Sequence, residues 1–351
     1  MKASPIKSLV AVAIASAAAV MQTPAQAQQV ETEKHLVVTA TEALQAATRS
    51  HWWAHAKPRR PIASGEGSLS PKALTFGAQA APVVGGNAPN LPAAPSPVFY
   101  PGDVTYGGGP TVPYANEQNI FVNSTCSPAG HCWGLPRPFE NDLQISNIIT
   151  IVDQYVGQTG SDRYATLPNQ AVSIGLNHVA LDTDLHPIIL ASVNAAGGSS
   201  AGGYTNIYHV FLPQGQDICM DNTLSNCYAP DGAGVFTFCG YHSSFDVVIN
   251  GALTHILYTV EPYANVDGCA LSTPNGFPQE LESQDSILLH ETVETITDPD
   301  GNAWIVAEGS LQGSEIADVC EFAPFVQTIG TTNYYTQLVY SNLSHACQSS
   351  P

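Results

Sequence analysis

His290-Glu291-Thr-Val-Glu294 carries the residue types of a hydrolytic metal site. On a helix, residues four apart share a face, so His290 and Glu294 point the same way and Glu291 stands at their flank. A catalytic zinc takes three protein ligands and keeps a position open for water, with a carboxylate near enough to accept that water's proton. His290 and Glu294 supply two ligands one turn apart, and Glu291 supplies the general base. The third ligand must come from elsewhere. A centre of one imidazole and two carboxylates is hard and negative, so Zn2+ is expected with manganese, iron or calcium as alternatives.

The elements around this segment must hold it still. Start signals at Ser283 and Asp285 and a stop at Pro299 predict a helix. Leu289, Val293 and Ile296 fall on the face away from His290 and Glu294, which predicts a helix buried on one side with its polar side toward a cleft. Strands are expected at 119–123, 187–193, 204–212, 246–250 and 254–261, and two short ones within 325–340 around Gly330. A helix is expected over 141–155, capped by Asn141, and a short Ala-rich helix within 37–50. The Gly-rich stretch 195–203 lacks the spacing and the Lys of a phosphate-binding loop. The expected fold class is a single disulfide-stabilised α+β domain over 96–351, a mixed sheet with a buried helix of active-site type.

Residues 1–27 have a basic start, a short apolar run and a small-x-small end at Ala27, the pattern of a secretory signal peptide. No stretch is long and apolar enough for a transmembrane segment. Residues 28–95, rich in Pro, Ala, Gly and Ser, read as a disordered linker or pro-segment, with Trp52 and Trp53 able to dock on the domain. Secretion to a periplasm or beyond the cell fits eight cysteines, Cys126, Cys132, Cys219, Cys227, Cys239, Cys269, Cys320 and Cys347. Pairing each with its neighbour in sequence is the simplest connectivity, and the absence of a Cys-x-x-Cys pair sets aside zinc knuckles and redox motifs. The formal net charge is −19, and from Val98 onward only Arg137 and Arg163 are basic. So acidic a domain repels nucleic acid and anionic membranes and tolerates a cation or a basic substrate.

The helix segment resembles the zinc-protease signature His-Glu-x-x-His with Glu294 in place of the second His. In thermolysin-like zincins a downstream Glu is the third ligand and an Asp one turn later orients the first His. That resemblance implies Glu315 as the third metal ligand with His290 and Glu294, and Asp318 in the second shell. A bare His-Glu-x-x-Glu is also what a solvated helix face looks like, and the Glu315 and Asp318 pair is what favours a metal. Phe238-Cys239-Gly240-Tyr241-His242, His290-Glu291-x-x-Glu294-x-x-Thr297-Asp298-Pro299, Asn302-Ala303-Trp304, Glu315-Ile-Ala-Asp318-Val-Cys320 and Tyr106-Gly-Gly-Gly-Pro110 together resemble the EXORDIUM or phosphate-induced-protein family. That resemblance implies a secreted or wall-associated protein.

His242 is a further catalytic candidate, as an alternative ligand or a transition-state donor. His209 and His255 sit in apolar strand patterns and read as core residues. No Gly-x-Ser-x-Gly elbow is present, and paired cysteines leave no thiol nucleophile. A glycosidase would need two carboxylates at a separation that sequence does not give. The expected function is a secreted zincin-like metal-dependent hydrolase acting on a peptide or protein substrate. The alternative is a non-catalytic extracellular or cell-wall-associated binding protein with a structural metal or none.

Overall fold

Side-chain alternation along the strands sorts the core into two halves. In chain order the elements are β1 (Lys34–Val37), β2 (Ser50–Trp53), β3 (Val104–Tyr106), β4 (Ala115–Val122), α1 (Pro136–Gln144), β5 (Tyr164–Thr166), β6 (Gln170–Ser173), β7 (Val179–Leu181), α2 (Asp182–Ala196), β8 (Asn206–Phe211), β9 (Asp217–Cys219), β10 (Cys227–Tyr228), β11 (Tyr241–Ile249), β12 (Ala252–Glu261), α3 (Gln279–Thr297), β13 (Trp304–Val306), β14 (Pro324–Ile329), β15 (Thr332–Gln337), β16 (Val339–Ser341) and β17 (Ala346–Gln348). The structure, a computed structural model, describes residues 34–37, 50–53, 103–123, 136–159, 163–232, 234–309, 311–321 and 323–351.

The main sheet runs β1-β6-β4-β8-β12-β11-β2, with β5 also pairing β4. β6, β4, β8 and β12 are parallel, while β11 is antiparallel to β12. Phe121, Ile207, Phe211 and Leu257 face a core shared with Leu288, Leu289, Val293 and Ile296 of α3. Ile120, Val122, Tyr208, Val210, Ile256, Tyr258 and Val260 face the other side, with Leu185, Ile188, Ile189 and Val193 of α2. The architecture is mixed α+β: a mixed sheet between helical layers, with small two- and three-stranded sheets around it.

Several expectations change against this fold. The run 187–193 lies in α2 and is helical. A short apolar run fits a buried helix as well as a buried strand, and here Asp184 decides, its Oδ2 accepting the Leu181 N–H at 2.8 Å to start the helix. The predicted 141–155 helix is broken: α1 begins at Pro136, before Asn141, and ends at Gln144, and a 3-10 turn Ile149–Val152 leads into the short helix Asp153–Val156. Ser146 makes the break, its Oγ donating to Leu143 O at 2.6 Å and accepting the Ile149 N–H at 3.2 Å. Those local bonds replace the helical ladder. α3 begins four residues before Ser283, and everything from Glu282 to Thr297 is buried, so its polar side is largely covered by protein. It lies within the protein. The strands near 119–123, 204–212, 246–250 and 254–261 are present, the second shortened to Asn206–Phe211 and the others lengthened or shifted, and 325–340 holds the β14–β15 hairpin around Gly330.

Among the described residues three disulfides are formed: Cys219–Cys227, Cys239–Cys269 and Cys320–Cys347. Cys126 and Cys132 lie outside the described residues, as do the predicted signal peptide and the Ala-rich helix. From the segment read as a disordered linker, β1 pairs with β6 and β2 pairs with the outer edge of β11. Its remainder lies outside the described residues. Among the described residues no helix is long and apolar enough to cross a membrane.

Candidate metal centre

α3 is amphipathic in an unusual sense, since both of its sides are covered. Full burial of Leu288, Leu289, Val293 and Ile296 contributes about 1.5 to 3 kcal/mol each. That gain offsets the desolvation of the polar residues on the same helix. Acidic Glu280 and Glu282 in the first turn favour its N-terminus. At the other end Asp298 Oδ1 accepts the N–H groups of Asn302 and Ala303, both at 2.6 Å, which turns the chain out at Pro299.

His290, Glu294 and Asp318 bring one ligand atom each to a common point. His290 Nε2 lies 3.1 Å from Glu294 Oε2 and 3.4 Å from Asp318 Oδ1. Two ligands each about 2.1 Å from a metal stand about 3.0 Å apart at right angles and about 3.4 Å apart at the tetrahedral angle. The observed spacings fall in that window. The tautomer is set from behind. Gln337 donates its amide N–H to Ala317 O at 2.8 Å, so its Oε1 accepts His290 Nδ1–H at 3.1 Å. Nε2 therefore faces the carboxylates, as the atom from which an ion would displace a proton, and neither Nε2 nor Glu294 Oε2 has a hydrogen-bond partner of acceptable geometry. Glu294 is fixed too, because its Oε1 accepts the Asp318 N–H at 3.0 Å.

His242, on β11, meets the same centre from the sheet. Its Nε2–H donates to Asp298 O at 3.1 Å, and its Nδ1 lies 3.5 Å from Glu291 Oε2 and 3.9 Å from Glu294 Oε2. His242, Glu291 and Glu294 thus form a second ligand group that shares Glu294 with the first. Glu291 is admitted by a glycine: a Cβ on Gly240 would stand 2.7 Å from Ile287 Cγ2 and 3.0 Å from Glu291 Oε1. The other quoted blocks pack together nearby. Gly107 and Gly109 donate to Ala303 O and Asn302 O, and β3 pairs with β13.

Of the two downstream acids, Asp318 stands opposite His290 Nε2, while Glu315 Oε1 lies 3.8 Å from His242 Nε2. The roles implied by the zincin resemblance are therefore redistributed. Asp318 occupies the ligand side of His290, and the orienting bond on Nδ1 comes from Gln337. Sequence reasoning missed Gln337; the available signal was a polar residue ending the predicted strand of the hairpin. Asp318 is held in place from both sides, its Oδ2 accepting the Glu315 N–H at 3.1 Å and its turn ending in the Cys320–Cys347 disulfide. Cys239–Cys269 anchors the approach to His242 in the same way.

The electrostatics favour a cation. Burial raises the Glu294 carboxyl above its usual range, partly countered by His290. Burial opposes charge on His290, yet the Glu294, Asp318 and Glu291 carboxylates hold its pKa well above normal. Basic side chains are scarce, and Arg163 is engaged with Asp153. Buried carboxylates are costly unless paired or bound to metal. A pocket lined by residues including Cys239, Cys269, Ser286, Ile287, His290 and Gln337 reaches this centre. Comparison with protein-family models, curated proteins and solved structures finds no match for this chain.

Proposed function

We propose that this chain is an exported zincin-like metal-dependent hydrolase of the peptidase class, with its ion held by His290, Glu294 and Asp318. The observation that carries the reading is the fixed ring orientation of His290, which aims a buried Nε2 at two carboxylates. The sheet adds support: parallel strands give way to the antiparallel pair β12–β11, and the chain then enters the His-Glu-x-x-Glu helix. The resemblance to the EXORDIUM family supports an extracellular or wall-associated setting, and the disulfides fit an oxidising compartment.

A bound Zn2+ or similar ion supplies a Lewis acid and a water acidified toward neutral pH. Glu291 would be placed to serve as the base for such a water, with His242, oriented by Asp298 O, presenting Nδ1 to Glu291. Gln337 and the Asp318 N–H keep His290 and Glu294 in their ligand orientations.

The closed setting favours a second reading, an extracellular binding protein in which the ion is structural. Glu291 and Glu294 are fully buried. Metal analysis and cleavage of a peptide library by wild type, Glu291→Gln and His290→Ala separate the two. The hydrolase reading expects Glu291→Gln to keep the metal and lose cleavage. Bound metal with no cleavage by any variant supports the structural reading, and wild type without stoichiometric metal rejects both.

A further inference from the structure

A row of polar residues crosses the sheet beneath α3. His242 on β11 is opposite Thr259 on β12, Thr259 is opposite His209 on β8, and His209 is opposite Asn119 on β4. Two strand spacings, about 10 Å, separate the backbones of His242 and His209. His209 has its own acidic neighbours, Glu117 two residues before Asn119 on β4 and Glu140 on α1, and their ligand atoms lie within 4.8 Å of one another. All three residues are buried, and His209 and Glu140 have no exposed surface.

The hydrogen bonds around His209 repeat the logic of the first centre with different residues. Thr259 donates its hydroxyl to Glu261 Oε1 at 2.9 Å, so its oxygen accepts His209 Nδ1–H at 2.9 Å. The other ring nitrogen, Nε2, then carries a lone pair, and it stands 3.8 Å from Glu140 Oε1. Neither atom has a hydrogen-bond partner. Glu140 Oε2 is fixed by Asn119 Nδ2 at 2.9 Å, and that amide also reaches Asn169 Oδ1 at 3.2 Å. An imidazole with its Nδ1–H engaged and its Nε2 aimed at carboxylates is the form that binds a metal. Burial also keeps His209 neutral, with its pKa lowered to about 3.

We propose that Glu117, Glu140 and His209 form a second, closed site for a divalent transition cation. One nitrogen and two carboxylates suit zinc, manganese or ferrous iron. The ion ties α1 to the central strands β4 and β8, a structural role with no residue in common with the His290 centre. Drawing His209 Nε2 and Glu140 Oε1 onto one ion needs a contraction of about 0.4 Å from their 3.8 Å separation to reach the tetrahedral spacing.

The test is metal stoichiometry by plasma mass spectrometry after loading with Zn2+ or Mn2+ and removal of free ion, on wild type, Glu140→Gln and His290→Ala. Burial holds the Glu140 carboxyl well above its usual range, so Gln resembles the neutral acid of the metal-free protein and should fold. Near-UV circular dichroism in chelator checks this. Two equivalents in wild type falling to one in each variant supports the site. One equivalent that Glu140→Gln removes and His290→Ala keeps supports it as well, while rejecting the first centre. Two equivalents retained in Glu140→Gln, a single equivalent that only His290→Ala removes, or none at all overturns it. Should Glu140→Gln fail to accumulate, His290→Ala decides alone: one equivalent supports the second site and none overturns it.

Discussion

Replacing Gln337 by Leu removes the group that fixes the His290 tautomer while keeping nearly the same volume. The lost bonds are His290 Nδ1–H to Gln337 Oε1 at 3.1 Å and Gln337 Nε2–H to Ala317 O at 2.8 Å. Without the acceptor, a buried Nδ1–H costs about 1 to 3 kcal/mol unless the proton moves to Nε2. Moving it satisfies the Glu294 carboxylate but takes the lone pair away from the ion. Either outcome weakens binding, and loss of such a supporting partner reduces affinity by about 10- to 100-fold. The Ala317 bond adds to the effect, because it steadies the turn that presents Asp318. Competition against a chromophoric chelator at neutral pH measures the change, and melting in chelator reads the stability separately. Gln337→Leu with affinity within about twofold of wild type would refute the tautomer argument, given the lower bound of that range.

Other consequences follow from the same geometry. Gly240→Ala places a methyl against Ile287 and Glu291, and overpacking of this kind costs about 1 to 3 kcal/mol; denaturant unfolding should place the variant below wild type, and equal stability would contradict the packing. Loss of Cys320–Cys347, which closes a separation of 27 residues, should cost about 3 to 4 kcal/mol by loop entropy and weaken metal binding through Asp318, read by calorimetry of Cys347→Ser. The exposed-side cluster around His255 gives a pH signature. Burial works against protonated His255, but hydrogen bonds to Asp300 and Asp246 outweigh it and raise its pKa, while Asp300, opposed by burial but bonded to His255, Tyr204 and Ser244, is lowered to about 2. The His255 contribution is complete below about pH 6.5 and is lost as pH rises through the raised value, and the Asp300 contribution is complete above about pH 4 and is lost toward pH 2. The stability difference between wild type and Asp300→Asn should therefore be largest between those limits, and a flat difference from pH 4 to 9 would contradict the pairing.

The helix that carries His290 and Glu294 was legible from its spacing and its stop at Pro299, because local periodicity decides such elements. The hairpin around Gly330 was legible for the same reason. The run 187–193 was not, since Asp184 starts a helix in a stretch whose composition suits a strand. Three neighbour-in-sequence disulfides were readable as the shortest closures. Which acid meets His290 depends on how the 315–318 turn packs against α3, and that is a tertiary fact. Gln337 meets His290 through the packing of β15 on α3, and Glu117, Glu140 and His209 meet through the β4–β8 pairing and the packing of α1, so nothing in their sequence neighbourhoods links them. The buried polar side of α3 likewise depends on the sheet beneath it: a sequence pattern gives a polar face without saying whether water or protein covers it.

An anomalous-difference map from crystals of the chain loaded with Zn2+ tests the central claim most directly. The account predicts a peak about 2.0 to 2.3 Å from His290 Nε2, Glu294 Oε2 and Asp318 Oδ1. A loaded crystal with no peak between those three atoms, or with His290 bound to Glu294 through a proton alone, would contradict it.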